Sequence, residues 1–180
     1  MKKKVYVSLS ADILHSGHIN ILSKAAKFGD VIVGLMTDKA ISEYKKIPLL
    51  NYQQRKVVVK SLSMVSEVIP QETKDYRPNL KKIKPDYVVH GDDWKTGVLK
   101  ESRLQVLKEL KKWSGKLIEL KYTKNISSSE IKQNVLSQEL LKVNRTSILK
   151  RLITNKDLVR VIEAHTPLVG LIVENLKLIQ

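Results

Sequence analysis

Two histidines separated by Ser16 and Gly17 are the residues of this sequence best suited to chemistry. His15 and His18 follow the apolar run Val5–Leu9 and stand at the start of a helix-like segment. A strand that turns through a glycine into a helix presents free backbone N–H groups and a partial positive charge, which together bind phosphate. Imidazoles beside such a site can donate hydrogen bonds to oxygens that gain charge as a phosphate bond breaks. The segment therefore predicts phosphate chemistry.

The elements that must position these histidines alternate between strands and helices. We predict strands at 4–10, 31–35, 67–69, 87–90 and 116–120, helices at 17–28, 52–64, 79–83 and 98–113, and an irregular stretch from 36 to Asn51. Repeated β-α-β units form a parallel sheet with helices on both faces, an α/β Rossmann-like doubly wound fold whose ligands bind at the carboxyl ends of the strands. This fold places His15, His18, Gly91 and Asp92 at one edge.

The carboxyl-terminal third of the chain begins with a second candidate anion site. Ser127 precedes Glu130 by three residues, which is the spacing of a helix capping box, so we expect a helix amino terminus there. We place a linker around Ser137–Asn144, a helix at 147–152 and a strand at 158–162. Residues 1–138 then form one domain, and residues 139–180 are a linker with the partial start of a second domain or an element for packing and oligomerisation.

Composition excludes several classes of function. The 180 residues contain no cysteine, so disulfides, thiolate zinc sites and cysteine nucleophiles are excluded. No apolar stretch approaches the roughly 20 residues of a membrane span, so we expect a cytoplasmic protein that binds no membrane. The net charge of +15 comes from lysines scattered along helix-like segments, with one phenylalanine in the chain. This pattern favours a solvated basic surface over a nucleic-acid interface.

Five segments of the sequence, in their order and spacing, resemble the cytidylyltransferases. They are Asp12–His18, Lys46, Arg55, Gly91–Trp94 and Ile126–Ser129. The resemblance extends over roughly residues 3 to 136 and is to the branch typified by glycerol-3-phosphate, choline-phosphate and ethanolamine-phosphate cytidylyltransferases. It implies a nucleotidyltransferase that uses CTP and a divalent metal, usually Mg²⁺, and releases pyrophosphate.

The resemblance also implies residue roles. His15 and His18 match the pair that stabilises the pentacoordinate α-phosphate, and Lys46 matches a loop lysine that reaches the phosphates. The segments implied in nucleotide binding comprise Ser10, Ala11, Asp12, Gly17, Arg55, Gly91, Asp92, Asp93, Trp94, Ile126, Ser127 and Ser128. Residue chemistry alone leaves structural alternatives for some of them: Asp92 and Asp93 as turn formers, Trp94 as a core residue and Arg55 as an ion-pair residue.

The tail carries a second resemblance. Leu158–His165 and Gly170–Glu174 resemble the first barrel strand and following helix of phosphoenolpyruvate mutase. Fusions of a cytidylyltransferase to that mutase occur in phosphonate biosynthesis, so the resemblance implies a phosphonate acceptor. A complete barrel of about 250 residues is absent from this sequence, and we expect no mutase activity. We also expect that the tail after about Lys142 is dispensable for nucleotidyl transfer.

These expectations leave three functions open. The first is transfer of a cytidylyl group from CTP to a small phosphonate, with 2-aminoethylphosphonate before 2-hydroxyethylphosphonate. The resemblances imply that this enzyme comes from a fusion with a phosphoenolpyruvate mutase, and we expect it to form a homodimer. The second is the same reaction with glycerol-3-phosphate or phosphocholine. The third is a basic nucleotide- or nucleic-acid-binding module without catalysis, because two arginines of the family pattern are replaced at Ser63 and Tyr122.

Overall fold

A five-stranded parallel sheet forms the centre of the molecule in a computed structural model that describes residues 2–95, 100–121, 123, 126–137 and 145–156. The strands are β1 Lys4–Leu9, β2 Asp30–Met36, β3 Glu67–Gln71, β4 Tyr87–Gly91 and β5 Lys116–Leu120. Their order in the sheet is β3-β2-β1-β4-β5, so the order along the chain reverses between β1 and β4. This reversal is the topological switch point at which ligands bind in open α/β sheets.

Helices pack on both faces of the sheet. They are α1 Ser16–Ala25, α2 Asp38–Ser42, α3 Tyr52–Lys60, α4 Arg77–Ile83, α5 Lys100–Leu110, α6 Ser128–Ser137 and α7 Arg145–Asn155, with a 3-10 turn at Asp92–Lys95. Polar caps fix several starts: Asn51 accepts from Gln54 N at 3.0 Å, and Thr37 Oγ1 accepts from Ala40 N at 3.2 Å. Each cap satisfies a backbone N–H that the helix itself leaves unpaired.

Alternation along β1 divides the core into two layers. Val5 and Val7 pack with Leu22 of α1 and Val59 of α3 on one face. Tyr6 packs on the other face with Leu80 of α4 and with a cluster that includes Val106, Leu110 and Trp94. Successive side chains of a strand point to opposite faces, so a strand buried on both sides reads as a continuous apolar run.

The doubly wound fold predicted from the sequence is confirmed, and the largest local error is α2. We predicted an irregular stretch between β2 and α3, whereas Asp38–Ser42 is helical behind the cap Thr37. Helix α1 ends at Ala25 rather than at residue 28, and β3 extends to Gln71 rather than to 69. No helix in the described part of the chain is long and apolar enough to cross a bilayer.

Helix α7 packs against α2 and includes the helix predicted at 147–152. Ser42 Oγ donates to the backbone oxygen of Asn155 at 2.7 Å, which joins the end of α2 to the end of α7. The division of the chain at 138 stays a prediction. The linker residues 138–144 and the strand predicted at 158–162 lie outside the described residues.

Candidate active site

A cavity of about 560 Å³ opens at the switch point, beyond the carboxyl ends of β1 and β4. Ser8, Leu9 and Ser10 line it from the end of β1, and His90 and Gly91 line it from the end of β4. The backbone pairs of β1 with β4 are Val5–Tyr87 and Tyr6–Val88, in the first half of each strand. The cavity therefore lies where the predicted fold places its ligand.

The helix mouth, which we define as residues 12–18, carries both predicted histidines into the cavity wall. His15 is the N-cap of α1, and its Nδ1 accepts a hydrogen bond from Gly17 N at 3.2 Å. His18 Nδ1 in turn accepts from His15 N at 3.4 Å, which completes a capping box. The two rings lie with centroids 4.0 Å apart. A local arrangement of four residues thus fixes the mutual position of the two imidazoles.

These hydrogen bonds determine which nitrogen of each ring carries a proton. Since Nδ1 accepts in both residues, the neutral form of each imidazole has its proton on Nε2. Burial lowers the pKa of His15. The pKa of His18 falls to about 4, chiefly because of burial and further because of the charges of His15 and Lys45. His18 is therefore a neutral N–H donor at neutral pH.

Gly17 is required for the close approach of His15. A Cβ at position 17 would lie 3.0 Å from both Cε1 and Nδ1 of His15 and 3.7 Å from Cβ of Thr123. The first two distances are shorter than an ordinary van der Waals contact, so a side chain here would displace the ring by a few tenths of an ångström. The absence of a side chain at Gly17 therefore allows the imidazole of His15 to take this position.

The lysine loop, which we define as residues 43–51, forms another part of the cavity wall. Lys45 and Lys46 are exposed and line the cavity; the role that the resemblance implies for Lys46, to reach the phosphates, stays a prediction. Lys45 Nζ and Lys74 Nζ lie 5.2 and 5.0 Å from the centroid of the Tyr44 ring. Ammonium groups at this distance are attracted by the face of an aromatic ring. Tyr44 OH is within 3.3 Å of Ser10 Oγ, so the loop is joined to the end of β1.

Asp12 connects the helix mouth to the lysine loop and to α6. Its side chain is buried; Oδ1 accepts from Leu49 N at 2.7 Å and from Leu50 N at 3.3 Å, and Oδ2 pairs with Lys132 Nζ. Both carboxylate oxygens thus have partners within the protein. The residue that the resemblance assigned to nucleotide binding is engaged in holding the walls of the cavity together.

The start of α6 completes the cavity at the side of the helix mouth. Ser127 Oγ accepts from Glu130 N at 3.1 Å, which is the predicted N-cap bond. Ser128 Oγ donates to the backbone oxygen of Ile13 at 3.1 Å, and Ser127, Ser128 and Ser129 line the cavity. A capped helix amino terminus presents oriented N–H groups to an anion. Two helix starts, those of α1 and α6, therefore meet at the same cavity.

The segment Gly91–Trp94 departs from its predicted role in one important respect. Gly91 lines the cavity, but Trp94 is fully buried, and its Nε1 donates to Glu119 Oε1 at 2.9 Å. The indole stacks on the His90 ring, with centroids 3.9 Å apart and planes 6° from parallel. Trp94 therefore supports the cavity wall from the core, which was the structural alternative. Asp92 forms the first residue of the 3-10 turn, and the Asp93 side chain lies outside the described residues.

Arg55, also predicted to bind nucleotide, is a buried structural residue. Its guanidinium donates to Asp38 Oδ1 at 2.7 Å, to the backbone oxygen of Ser10 at 2.5 Å and to that of Leu50 at 3.1 Å. The side chain is fully buried and lies off the cavity. Of the described residues in the predicted binding set, Ala11, Arg55, Asp92, Trp94 and Ile126 do not line the cavity.

The charge of the cavity wall is strongly positive. Among the described lining residues the one carboxylate is Asp12, which is paired with Lys132, whereas the lining lysines are Lys24, Lys45, Lys46, Lys74, Lys121 and Lys132. An excess of one sign in a concave site raises the local concentration of the opposite ion. The arrangement fits a highly charged anion such as a nucleoside triphosphate.

A family model described as cytidylyltransferase-like matches residues 10–134. The chain belongs to the cytidylyltransferase-like family. It is 33% identical over 137 residues to the glycerol-3-phosphate cytidylyltransferase of Bacillus spizizenii, covering 75% of this chain and 98% of that protein. It is also 33% identical over 133 residues to the ethanolamine-phosphate cytidylyltransferase of Dictyostelium discoideum, covering 71% of this chain and 35% of that protein.

Two further similar proteins have other names. The FAD synthase of Ferroglobus placidus is 35% identical over 91 residues, which cover 51% of this chain and 60% of that protein. The crystal structure of the lipopolysaccharide core biosynthesis protein of Thermoplasma volcanium superposes with a TM-score of 0.60 and 25% identity, covering 68% of this chain and 99% of that one. The cytidylyltransferase-like domain of this chain thus has the Rossmann-like nucleotidyltransferase fold.

Sequence reasoning missed several residues of the cavity wall in this cytidylyltransferase-like domain. No motif of the sequence indicates a role for His90 at the end of β4, or for Tyr44, Lys74 and Tyr76, yet all four line the cavity. His90 could have been found, because it immediately precedes Gly91 at the carboxyl end of a strand next to the switch point. Lys74 could not, since it lies in a connection between β3 and α4 that only tertiary packing brings to Tyr44.

Proposed function

We propose that this chain transfers the cytidylyl group of CTP to a small phosphonate or phosphomonoester and releases pyrophosphate. The observation that carries the proposal is the pair His15 and His18, two imidazoles 4.0 Å apart at the amino terminus of α1, facing a cavity whose wall is rich in lysine. The names of the curated cytidylyltransferase relatives support the same class of reaction.

The reaction is an in-line displacement at the α-phosphorus of CTP. A terminal oxygen of the acceptor forms the new P–O bond, and the bond from the α-phosphorus to the oxygen bridging it to the β-phosphate breaks. Pyrophosphate leaves with the electron pair of that bond. Positioning and charge stabilisation supply most of the catalysis in such transfers, so no covalent enzyme intermediate is needed.

The histidines act as hydrogen-bond donors in this reaction. With Nδ1 occupied as an acceptor, His15 and His18 each offer Nε2–H to oxygens that gain negative charge in the transition state. Because the pKa of His18 is about 4, its imidazole donates without adding a charge at neutral pH. Lys46 and the other lining lysines neutralise the triphosphate and the departing pyrophosphate.

Mg²⁺ accompanies CTP in this proposal. The part of the chain that the structure describes contains no cluster of three histidine or acidic side chains that could hold a metal, and both oxygens of Asp12 have protein partners. This donor set fits a metal carried chiefly by the phosphates of the nucleotide, as Mg²⁺ commonly is, and not one held by a protein cage. Bound there, Mg²⁺ would neutralise phosphate charge.

The charge of the wall favours an acceptor with a neutral tail. The ammonium of 2-aminoethylphosphonate, our first choice from the sequence, would meet lysines and one carboxylate, Asp12, that is already paired. The hydroxyl of 2-hydroxyethylphosphonate carries no such cost, because like charges in one site repel each other. Glycerol-3-phosphate is the second candidate, supported by the relative of that name whose length this chain covers almost completely.

The experiment is a pyrophosphate-release assay with CTP against 2-hydroxyethylphosphonate, 2-aminoethylphosphonate, glycerol-3-phosphate and phosphocholine. We expect turnover with a neutral-tailed acceptor and at least about tenfold lower kcat/KM for its cationic analogue. ATP replaces CTP in a matched series, because FAD, the product in the name of one relative, contains adenine. Equal turnover with ATP and CTP would contradict cytidylyl specificity.

The same assay distinguishes this enzyme from a non-catalytic binding module. If no pyrophosphate is released with any acceptor and the chain binds nucleic acid in a salt-sensitive manner, the non-catalytic basic module replaces this proposal. Homodimer formation is a separate proposal, supported by two exposed apolar residues of α3, Val57 and Val58, which are 70% and 42% exposed. Solution mass measured by light scattering tests it.

A further inference from the structure

The end of the lysine loop is held by charged side chains from three separate parts of the chain. Leu49 N and Leu50 N donate to Asp12 of the helix mouth. The backbone oxygen of Leu50 accepts from Arg55 Nε at 3.1 Å, and that of Leu49 accepts from Arg151 NH1 at 2.8 Å. Arg151 belongs to α7, beyond the region that the family model matches.

Arg151 and Arg55 also share one carboxylate. Asp38, in the first turn of α2, accepts from Arg55 NH2 through Oδ1 at 2.7 Å and pairs with Arg151 NH2 through Oδ2 at 3.3 Å. Its side chain is only 13% exposed, so these charges are screened little by solvent. The carboxylate therefore orients Arg151, whose other terminal nitrogen bonds Leu49.

The contacts of Arg151 fix the chain three residues after Lys46. The Leu49 peptide is bound at its N–H by Asp12 and at its carbonyl by Arg151, so it can neither rotate nor slide without breaking a hydrogen bond to a charged group. Hydrogen bonds to charged groups are about twice as strong as those between neutral groups. Lys46, which lies three residues before this fixed peptide, lines the cavity.

We propose that Arg151 is a positioning residue of nucleotidyl transfer, which holds the lysine loop so that Lys46 faces the bound triphosphate. The proposal rests on the function proposed above. It also changes our expectation for the tail, because a chain cut after about Lys142 would lack α7 and with it this contact. Helix α7 is on this account part of the active enzyme.

The test is a double-mutant cycle in the full chain. Arg151→Met keeps the length of the side chain and removes its donors, and we expect it to lower kcat/KM for CTP about tenfold, as a displaced catalytic group does. Arg151→Lys should recover part of the loss, because one ammonium can bond either Asp38 or Leu49. Lys150→Met, at an exposed position of the same helix, is the matched control and should match the wild type.

The second arm of the cycle separates positioning from general damage. If Arg151 acts through Lys46, Arg151→Met should cost less than about twofold when Lys46 is already alanine, since coupled residues are non-additive. An undiminished tenfold loss in the Lys46→Ala background, or wild-type kcat/KM in Arg151→Met alone, would overturn the proposal.

Hydrogen exchange supplies a readout that needs no turnover. The amides of residues 43–47 and 49–51 should exchange at least about fivefold faster in Arg151→Met than in Lys150→Met, because opening of the loop becomes easier. Unchanged exchange there contradicts the positioning role even if the wild type turns over no substrate. A wild type without turnover contradicts the proposed function instead, so the two failures are distinguishable.

Discussion

The helix mouth and the lysine loop face the same cavity, but contacts of very different range hold them in place. His15 and His18 are fixed by hydrogen bonds within a capping box four residues long. The lysine loop is fixed through Leu49 and Leu50 by side chains up to 102 positions away in sequence. A short-range arrangement forms with the helix itself, whereas the long-range one exists only when several elements have packed together. We therefore expect the helix mouth to supply rigid donors and the loop to supply charge that depends on the integrity of the fold.

The largest expected effect is at the helix mouth. His18→Ala should lower kcat on the order of 10²- to 10³-fold with a much smaller change in CTP binding, as does removal of one donor aimed at developing charge. His18→Gln, which can place an amide N–H near the position of Nε2, should retain more activity than alanine. Steady-state kinetics with CTP and direct binding measurements check this. An unchanged kcat with a raised KM would make His18 a ground-state ligand.

Lys46→Ala should give a smaller loss and thereby sharpen the comparison. The lysine is exposed and acts as a point charge, so we expect kcat/KM for CTP to fall about 10- to 100-fold, the range for one hydrogen bond to a charged group. Lys60→Ala, exposed at the end of α3, is the matched control for loss of one positive charge. A larger loss of activity in Lys46→Ala than in His18→Ala would mean that the lysine loop contributes more to catalysis than the helix mouth does.

Gly17→Ala tests whether the geometry of the helix mouth matters separately from its stability. The added methyl group displaces the His15 ring, with which it would be in close contact, so kcat should fall about tenfold. The thermal midpoint should stay the same or rise, since alanine is better than glycine within a helix by about 1 kcal/mol. Parallel measurement of kcat and unfolding checks it. A stable variant with full activity would show that the spacing of the imidazoles tolerates displacement.

The smallest expected effect is on the pH dependence of stability. Burial, together with the charges of His15 and Lys45, lowers the folded-state pKa of His18 from 6.5 to about 4. Between these values the unfolded chain binds a proton that the folded chain does not. Stability is therefore fully present above about pH 6.5 and is lost as the pH falls towards about 4. His18→Gln should flatten this dependence in urea unfolding measured at about pH 7 and about pH 5. An equal slope in the variant would assign the proton uptake to other groups.

The same division by range explains what could be predicted. The strands, the sheet type and the N-cap at Ser127 follow from patterns within a few residues, and the structure has them. Trp94 and Arg55 were assigned to the nucleotide because they stand in motifs, yet both are buried among residues far along the chain, Glu119 and Asp38. A motif identifies the neighbourhood of a site, but burial decides which of its side chains face the ligand and which support the wall.

The sequence by itself determined that two imidazoles stand at a helix amino terminus beside the end of a parallel strand. It did so because helix capping, strand periodicity and the handedness of β-α-β units depend on local geometry. The tertiary structure alone decided the rest: that His90 stacks on Trp94, that the Lys74 ammonium lies over the ring of Tyr44, and that Arg151 of α7 donates a hydrogen bond to Leu49 in the lysine loop. These contacts join residues many positions apart, and their energies arise only when the packed chain removes the charged and aromatic groups from water.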